Sequence, residues 1–172
     1  GNASVSDESD DDFEIKGKVV LNVPNGGNKW FFNETAQIRW TPTGTYSQIK
    51  LEYSVDDFAT STVIDQVDAG APGVQQTYDW PSVTIPVSES VKIKAYDPNS
   101  TTVVDVSDAV FSVRGRLTIT VPSGAEIWVV DAAKDITWAT KGSIPNVNLS
   151  YSTDGTNYTS IVTGLANAGT YN

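Results

Sequence analysis

The chain has 172 residues, a formal net charge of −10, and no Cys, His or Met. Without Cys or His there is no disulfide framework, no thiolate or imidazole metal site, no Cys nucleophile and no imidazole base, which argues against triad hydrolases, zinc enzymes and haem proteins. Eleven basic residues against 21 acidic ones leave no basic stripe for nucleic acid, no apolar run is long enough for a membrane span, and the missing Met is what a stretch of a longer or processed product shows.

The residues from Val5 to Phe13 carry an acidic run, Asp7, Glu8, Asp10, Asp11 and Asp12, before the first apolar alternation. Val19, Leu21 and Val23 then alternate with polar residues and stop at Pro24-Asn25-Gly26-Gly27, a strand followed by a turn. The aromatic stretch Trp30-Phe31-Phe32 follows, and Ala36, Ile38 and Trp40 alternate with Gln37 and Arg39. From Gln48 to Val55 the odd positions Ile49, Leu51, Tyr53 and Val55 are apolar and the even ones polar, which predicts a half-buried antiparallel strand with those four inward. Trp80 precedes Pro81 and reads as a strand anchor, and Val91, Ile93 and Ala95 alternate with Lys92 and Lys94. Asp97-Pro98-Asn99-Ser100 predicts a hairpin. Leu117, Ile119 and Val121 repeat the opening alternation and end at Pro122-Ser123-Gly124, and Asp154-Gly155 predicts a second hairpin, because that dipeptide tolerates positive φ. No segment carries a 3.6 period over three turns. The expected fold is all-β: tandem Ig-like β-sandwiches of two antiparallel sheets, with Trp40 and Trp138 in the two cores.

The strongest pattern is internal. Laying Phe13–Asp56 over Phe111–Asp154, a constant offset of 98, matches Phe13, Gly17, Val23, Pro24, Gly26, Trp30, Ile38, Trp40, Gly44, Leu51, Tyr53, Ser54 and Asp56 with the same residue types and no gap. The phase divides the chain into residues 1–16, the closing strand of a preceding repeat; 17–114, a complete repeat; and 115–172, the first part of a following one. Gly17-Lys18 and Gly115-Arg116 then stand directly between closing and opening strands, so the joints have few free residues.

Val23-Pro24-Asn25-Gly26-Gly27, then Trp30, then Ile38-Arg39-Trp40 resembles the opening of the Ig-like repeat named after the fungal Kre9/Knh1 cell-wall proteins. The Tyr-Ser-x-Asp turns at Tyr53–Asp56 and Tyr151–Asp154, the Tyr78–Trp80 stretch and the closing Ser107–Phe111 fit the same family. The resemblance covers nearly the whole chain and rests on structural motifs. It implies the sandwich fold and an extracellular setting, in large surface proteins of bacteria and archaea, and it brings no catalytic residues. Asp56-Asp57 departs from the family's Asp-Gly turn.

Candidate sites are few. The acidic run could hold a calcium ion (Ca2+), which takes six to eight oxygen ligands, but it lacks the glycine of an EF-type loop, and a solvated acidic loop is the better reading. Asp56, Asp57, Asp97, Asp105 and Asp108 would serve a cation only if the fold brought them together. Any two of the 21 acids could be imagined as a glycosidase pair, so that pattern carries almost no information. Trp30-Phe31-Phe32 would suit sugar stacking, but the matching Trp128-Val129-Val130 favours packing within or between units. Asn2, Asn33, Asn99, Asn148 and Asn157 each begin an Asn-x-Ser/Thr sequon and are candidate N-glycosylation sites, with an unmodified surface Asn as the alternative. The expected role is structural: a segment of a surface layer, sheath, stalk or adhesin shaft, not an enzyme and without a cofactor. Its partners would be neighbouring repeats or copies of itself, with Phe13-Glu14-Ile15 as a strand to add to a partial unit. The alternative is a carbohydrate-binding or adhesive accessory module of a secreted protein.

Overall fold

The computed structural model describes residues 7–172, so Asn2, Val5 and Ser6 lie outside the described residues. The strands of residues 17–114 are β1 (Lys18–Val23), β2 (Lys29–Phe31), β3 (Ala36–Thr43), β4 (Gln48–Ser54), β5 (Thr62–Asp68), β6 (Gln76–Trp80), β7 (Ser88–Tyr96), β8 (Val104–Val106) and β9 (Phe111–Arg114). They are followed by β10 (Arg116–Val121), β11 (Ile136–Lys141), β12 (Asn146–Tyr151), β13 (Thr159–Ala166) and β14 (Thr170–Tyr171). Residues 7–17 carry no strand.

β1, β3 and β6 form one sheet; β2, β9, β7, β4 and β5 form the other in that order, with β8 on β7. Alternation drives the packing: Val19, Leu21, Ile38, Trp40, Ile49, Leu51, Ile93 and Val113 are each at most 2% exposed and face one another between the sheets. Each such side chain contributes about 1.5–3 kcal/mol by leaving water. The indole Nε1 of Trp40 donates to the Ala69 carbonyl oxygen at 3.0 Å, so the polar atom of the central Trp is satisfied in the core.

The fold is the expected all-β arrangement of antiparallel sheets, with one parallel pair inside it, β2 with β9, Trp30 opposite Val113. β2 is too far from β9 in sequence to be its hairpin partner, and the closing strand returns alongside it in the direction that buries Phe111. Along β4 the alternation stops early: Tyr53 is half-buried, Val55 lies past the strand end and is exposed, and Glu52 on the polar face is buried. The β4–β5 register shifts between Leu51 and Glu52, and long side chains from β4 and β7 close over the carboxylate.

The second unit repeats the scheme with fewer strands. β10, β11 and β14 correspond to β1, β3 and β6, and β12–β13 corresponds to β4–β5. Even the details recur: the β1–β3 register shifts at Leu21/Val23 and the β10–β11 register at Ile119/Val121. Trp138 is buried with Val147 and Leu149, and its Nε1 donates to Asn167 Oδ1 at 2.6 Å.

Candidate functional site at the joint and the open face

The closing motif of the complete unit is a clamp. Ser107 Oγ is buried, donates to the Pro24 carbonyl oxygen at 2.9 Å and accepts from the Ile93 backbone N–H. Asn25 Nδ2 donates to Asp108 Oδ2 at 2.7 Å, and the Asp108 N–H donates back to Asn25 Oδ1 at 2.8 Å. Phe111 then enters the core against Trp30, ring centroids 4.7 Å apart. Trp30 also meets Trp80 edge-on at 6.3 Å, so the first aromatic of the Trp30-Phe31-Phe32 stretch is partly buried against the core.

The other two aromatics face the second unit. β9 ends at Arg114 and β10 starts at Arg116, so the linker is the single residue Gly115. The Phe32 N–H donates to the Arg114 carbonyl oxygen at 2.9 Å, which holds the chain up to that point. A Cβ on Gly115 would fall 2.8 Å from both the Ile144 side chain and the Lys141 carbonyl oxygen, so only glycine fits the crossing. Gly142, with φ +81°, sits where a Cβ would meet Val87 at 2.9 Å and Phe32 at 3.2 Å. Across the joint Arg116 reaches Glu34 at 3.1 Å and lies 4.7 Å from the centroid of the Phe31 ring. The ion pair is half-exposed and contributes no more than about 1 kcal/mol; the one-residue linker and the seat of Gly142 on Val87 and Phe32 set the geometry.

The acidic residues are held by donors of their own chain. Asp105 Oδ2 accepts from the Leu21 N–H at 2.7 Å, Asp97 Oδ1 from the Asn99 N–H at 2.9 Å, and Asp57 pairs with Lys92 at 2.8 Å. Asp56 accepts from the Thr60 N–H and from Ser54 Oγ, and those bonds hold its carboxyl below the usual range. The Asp154 turn is built the same way, with its carboxyl pulled down first by the Asn157 N–H. In the departing turn, Asp57 adopts φ 56° where Gly155 has 74°, so the Ser-x-Asp bonds impose the left-handed position on a non-glycine residue. Among the described residues no three acidic side chains converge to hold a metal. Asp7, Glu8, Asp10, Asp11 and Asp12 are all exposed.

Glu52 is the charged group that sequence reasoning missed. Burial pushes its carboxyl up, but Lys94 at 2.8 Å, Tyr96 Oη at 2.6 Å and Ser61 Oγ at 3.0 Å outweigh that and bring its pKa to about 2. Lys94 faces Glu52 directly in the β4–β7 register. Only that register would have revealed the pair, since the two are 42 positions apart in the chain.

Four sequons are described. Asn33 lies in an exposed turn with its Oδ1 accepting from Ser82, and Asn99 is exposed in the β7–β8 turn. Asn148 projects from β12 and accepts from the Gly164 N–H, whereas the Nδ2 of Asn157, the atom a glycan would use, donates to Asp154 at 2.7 Å.

The second unit leaves its inner face uncovered. Ile119, Trp128, Ile136, Leu149, Tyr151 and Ile161 line a groove of about 570 Å³. Ile119 is 51% exposed, although Leu21 at the same phase is 1% exposed. Among the described residues no helix is long and apolar enough to cross a membrane. No protein-family model and no curated protein matches the chain. Among solved structures it is similar to the fibronectin(III)-like modules of Clostridium thermocellum CbhA, with 18% identity, 89% of this chain and 76% of that chain covered, and a TM-score of 0.31.

Proposed function

We propose that the chain is a structural segment of a large extracellular surface protein, a tandem array of Kre9/Knh1-type Ig-like sandwiches that acts as a semi-rigid spacer in a layer, sheath, stalk or shaft. The observation that carries this reading is the joint: one linker residue, Gly115, tucked against Ile144 and Lys141 of its own unit, with Gly142 seated on Phe32 and Val87 of the preceding unit. Domains joined by flexible linkers swing by default, whereas a single-residue connection between two strands, braced on both sides, transmits orientation from one unit to the next. Within the Trp30-Phe31-Phe32 stretch no side chain is free for a sugar platform: Trp30 packs against the core, Phe31 lies beneath Arg116 and Phe32 against Gly142.

Nitrogen-15 relaxation on the chain tests the reading. Residues of β1–β9 and β10–β13 are expected to share one anisotropic correlation time. Two separate, shorter correlation times would mean free swinging and would remove the basis for a spacer.

A further inference from the structure

We propose that Asn99 is an N-glycosylation site, held ready for a transferase by the β7–β8 turn, and that the first sugar of its glycan lies in the groove beside Tyr96. Asn99, Thr101 and the groove all belong to the complete unit. The inference rests on the extracellular setting of the array reading only for where the chain meets that transferase.

N-linked transfer needs two groups of one Asn-x-Ser/Thr stretch at the same time, the side-chain amide and the hydroxyl two positions on. Three of the four described sequons withhold one of them. Asn157 Nδ2 donates to Asp154 Oδ2 at 2.7 Å. Residues 148–150 lie inside β12, paired with β13, and the middle residue Leu149 is buried. At Asn33 the Thr35 hydroxyl donates to the Pro81 carbonyl oxygen at 3.1 Å, and Asn33 Oδ1 accepts from Ser82 Oγ at 2.6 Å. Asn99 differs. The Asp97 N–H donates to the Val103 carbonyl oxygen at 2.9 Å and the Ser100 N–H to the Asp97 carbonyl oxygen at 3.1 Å, while Asp97 Oδ1 accepts from the Asn99 N–H at 2.9 Å. Those bonds fix the backbone of the turn and leave its tip outward. Asn99 and Thr101 are both exposed, and among the described residues no hydrogen bond takes Asn99 Nδ2 or the Thr101 hydroxyl.

The turn also borders a groove of about 410 Å³. Lys94 and Tyr96 line it, on the face of β7 opposite the buried Ile93 and Ala95, and Val104 stands across from Tyr96 in the β7–β8 register. The Tyr96 hydroxyl donates to Glu52 at 2.6 Å, which holds the ring in place. A ring fixed in this way offers an apolar surface to the C–H face of a sugar, next to the atom that would carry it. In the transfer Asn99 Nδ2 attacks C1 of an oligosaccharide carried on a polyprenyl diphosphate. The C–N bond forms, the C1–O bond breaks, the lipid diphosphate leaves with the electron pair, and the amide proton passes to a base of the transferase.

The test incubates the folded 172-residue chain with a polyprenyl-diphosphate oligosaccharide and an oligosaccharyltransferase that accepts any Asn-x-Ser/Thr. Short peptides carrying the sequons of Asn33, Asn99, Asn148 and Asn157 are run beside it. Peptide mass spectrometry is expected to find the glycan on every short peptide, but in the folded chain on Asn99 and on none of Asn33, Asn148 and Asn157. Asn99→Gln and Thr101→Ala, both at exposed positions, are expected to remove the added mass from that turn, and Thr101→Ser to keep it. In the modified chain, nuclear Overhauser contacts are expected between the first sugar and the Tyr96 ring. A bare Asn99, in the folded chain or in its peptide, or equal modification of the folded chain at Asn33, Asn148 or Asn157, would overturn the proposal. A glycan on Asn99 without contact to Tyr96 would overturn the seating of the sugar. The relaxation measurement on the two units uses the unmodified chain, so a failure here is distinct from a failure of the spacer reading.

Discussion

The two units carry the same pattern of residues and reach different degrees of burial. Val19 and Leu21 are each 1% exposed, and Leu117 and Ile119, at the same phase, are 45% and 51% exposed. Trp30 is wedged between Trp80 and Phe111, whereas Trp128 has neither partner among the aromatic pairs of the fold. Lys29–Phe31 is a strand and Ile127–Val129 is not. Local pattern therefore suffices for the hairpins, the bulges and the sheet of β10, β11 and β14, but the inner face is dry only where β7 and β9 cover it. A β-sheet alternates whether or not it is covered; burial belongs to the pair of layers.

That contrast can be broken most strongly in the core. Leu21→Ala is expected to cost about 2–5 kcal/mol, and Ile119→Ala no more than roughly 0.5 kcal/mol, because only the first opens a cavity in a closed interior. Urea midpoints of the two variants measure the difference, and equal losses would mean that the second unit's face is covered in solution.

Acid should separate the units next. Glu52 has a folded pKa of about 2 against an ordinary 4.5, and Ser150 occupies its place in the second unit. A depressed carboxyl stabilises the fold fully above its unfolded pKa and loses that contribution as pH falls through the folded one. Between pH 4.5 and 2 the first unit is expected to lose roughly 2–3 kcal/mol, an amount absent from the Glu52→Gln variant. Denaturant melts at pH 5, 3.5 and 2 read this, and a Glu52→Gln chain with the same acid slope would place the sensitivity elsewhere.

At the joint, Gly142→Ala puts a Cβ 2.9 Å from Val87 in a left-handed backbone, an expected cost of about 1–2 kcal/mol. It should also separate the correlation times of the units, whereas Gly155→Ala, where a Cβ meets nothing within 4 Å, has only the backbone strain to bear. The smallest effect belongs to Arg116→Ala. Losing a half-exposed ion pair and the contact with Phe31 is expected to cost about 0.5–1 kcal/mol and to leave the shared tumbling intact. A larger loss, or separated tumbling, would shift the joint's rigidity from the glycine contacts to the charge.

Much of this was legible in the residues. The offset between Phe13 and Phe111 marks the repeat, the Ser-x-Asp spacing marks two turns that the same hydrogen bonds close, and Gly115 marks the joint, because each is a local rule of spacing or backbone freedom. Three features were not legible. The parallel β2–β9 pair joins residues more than 80 apart, the burial of Glu52 depends on which residues of β7 lie across from it, and the covering of Leu21 but not Ile119 depends on strands that neither residue contacts in sequence. Period and turn chemistry mark the strands that alternate most clearly, such as Lys18–Val23 and Gln48–Ser54, and the turns that follow them. Which apolar faces are dry and which carboxylate is buried follow instead from cross-strand register and from the second layer, and neither is written in any local stretch of chain.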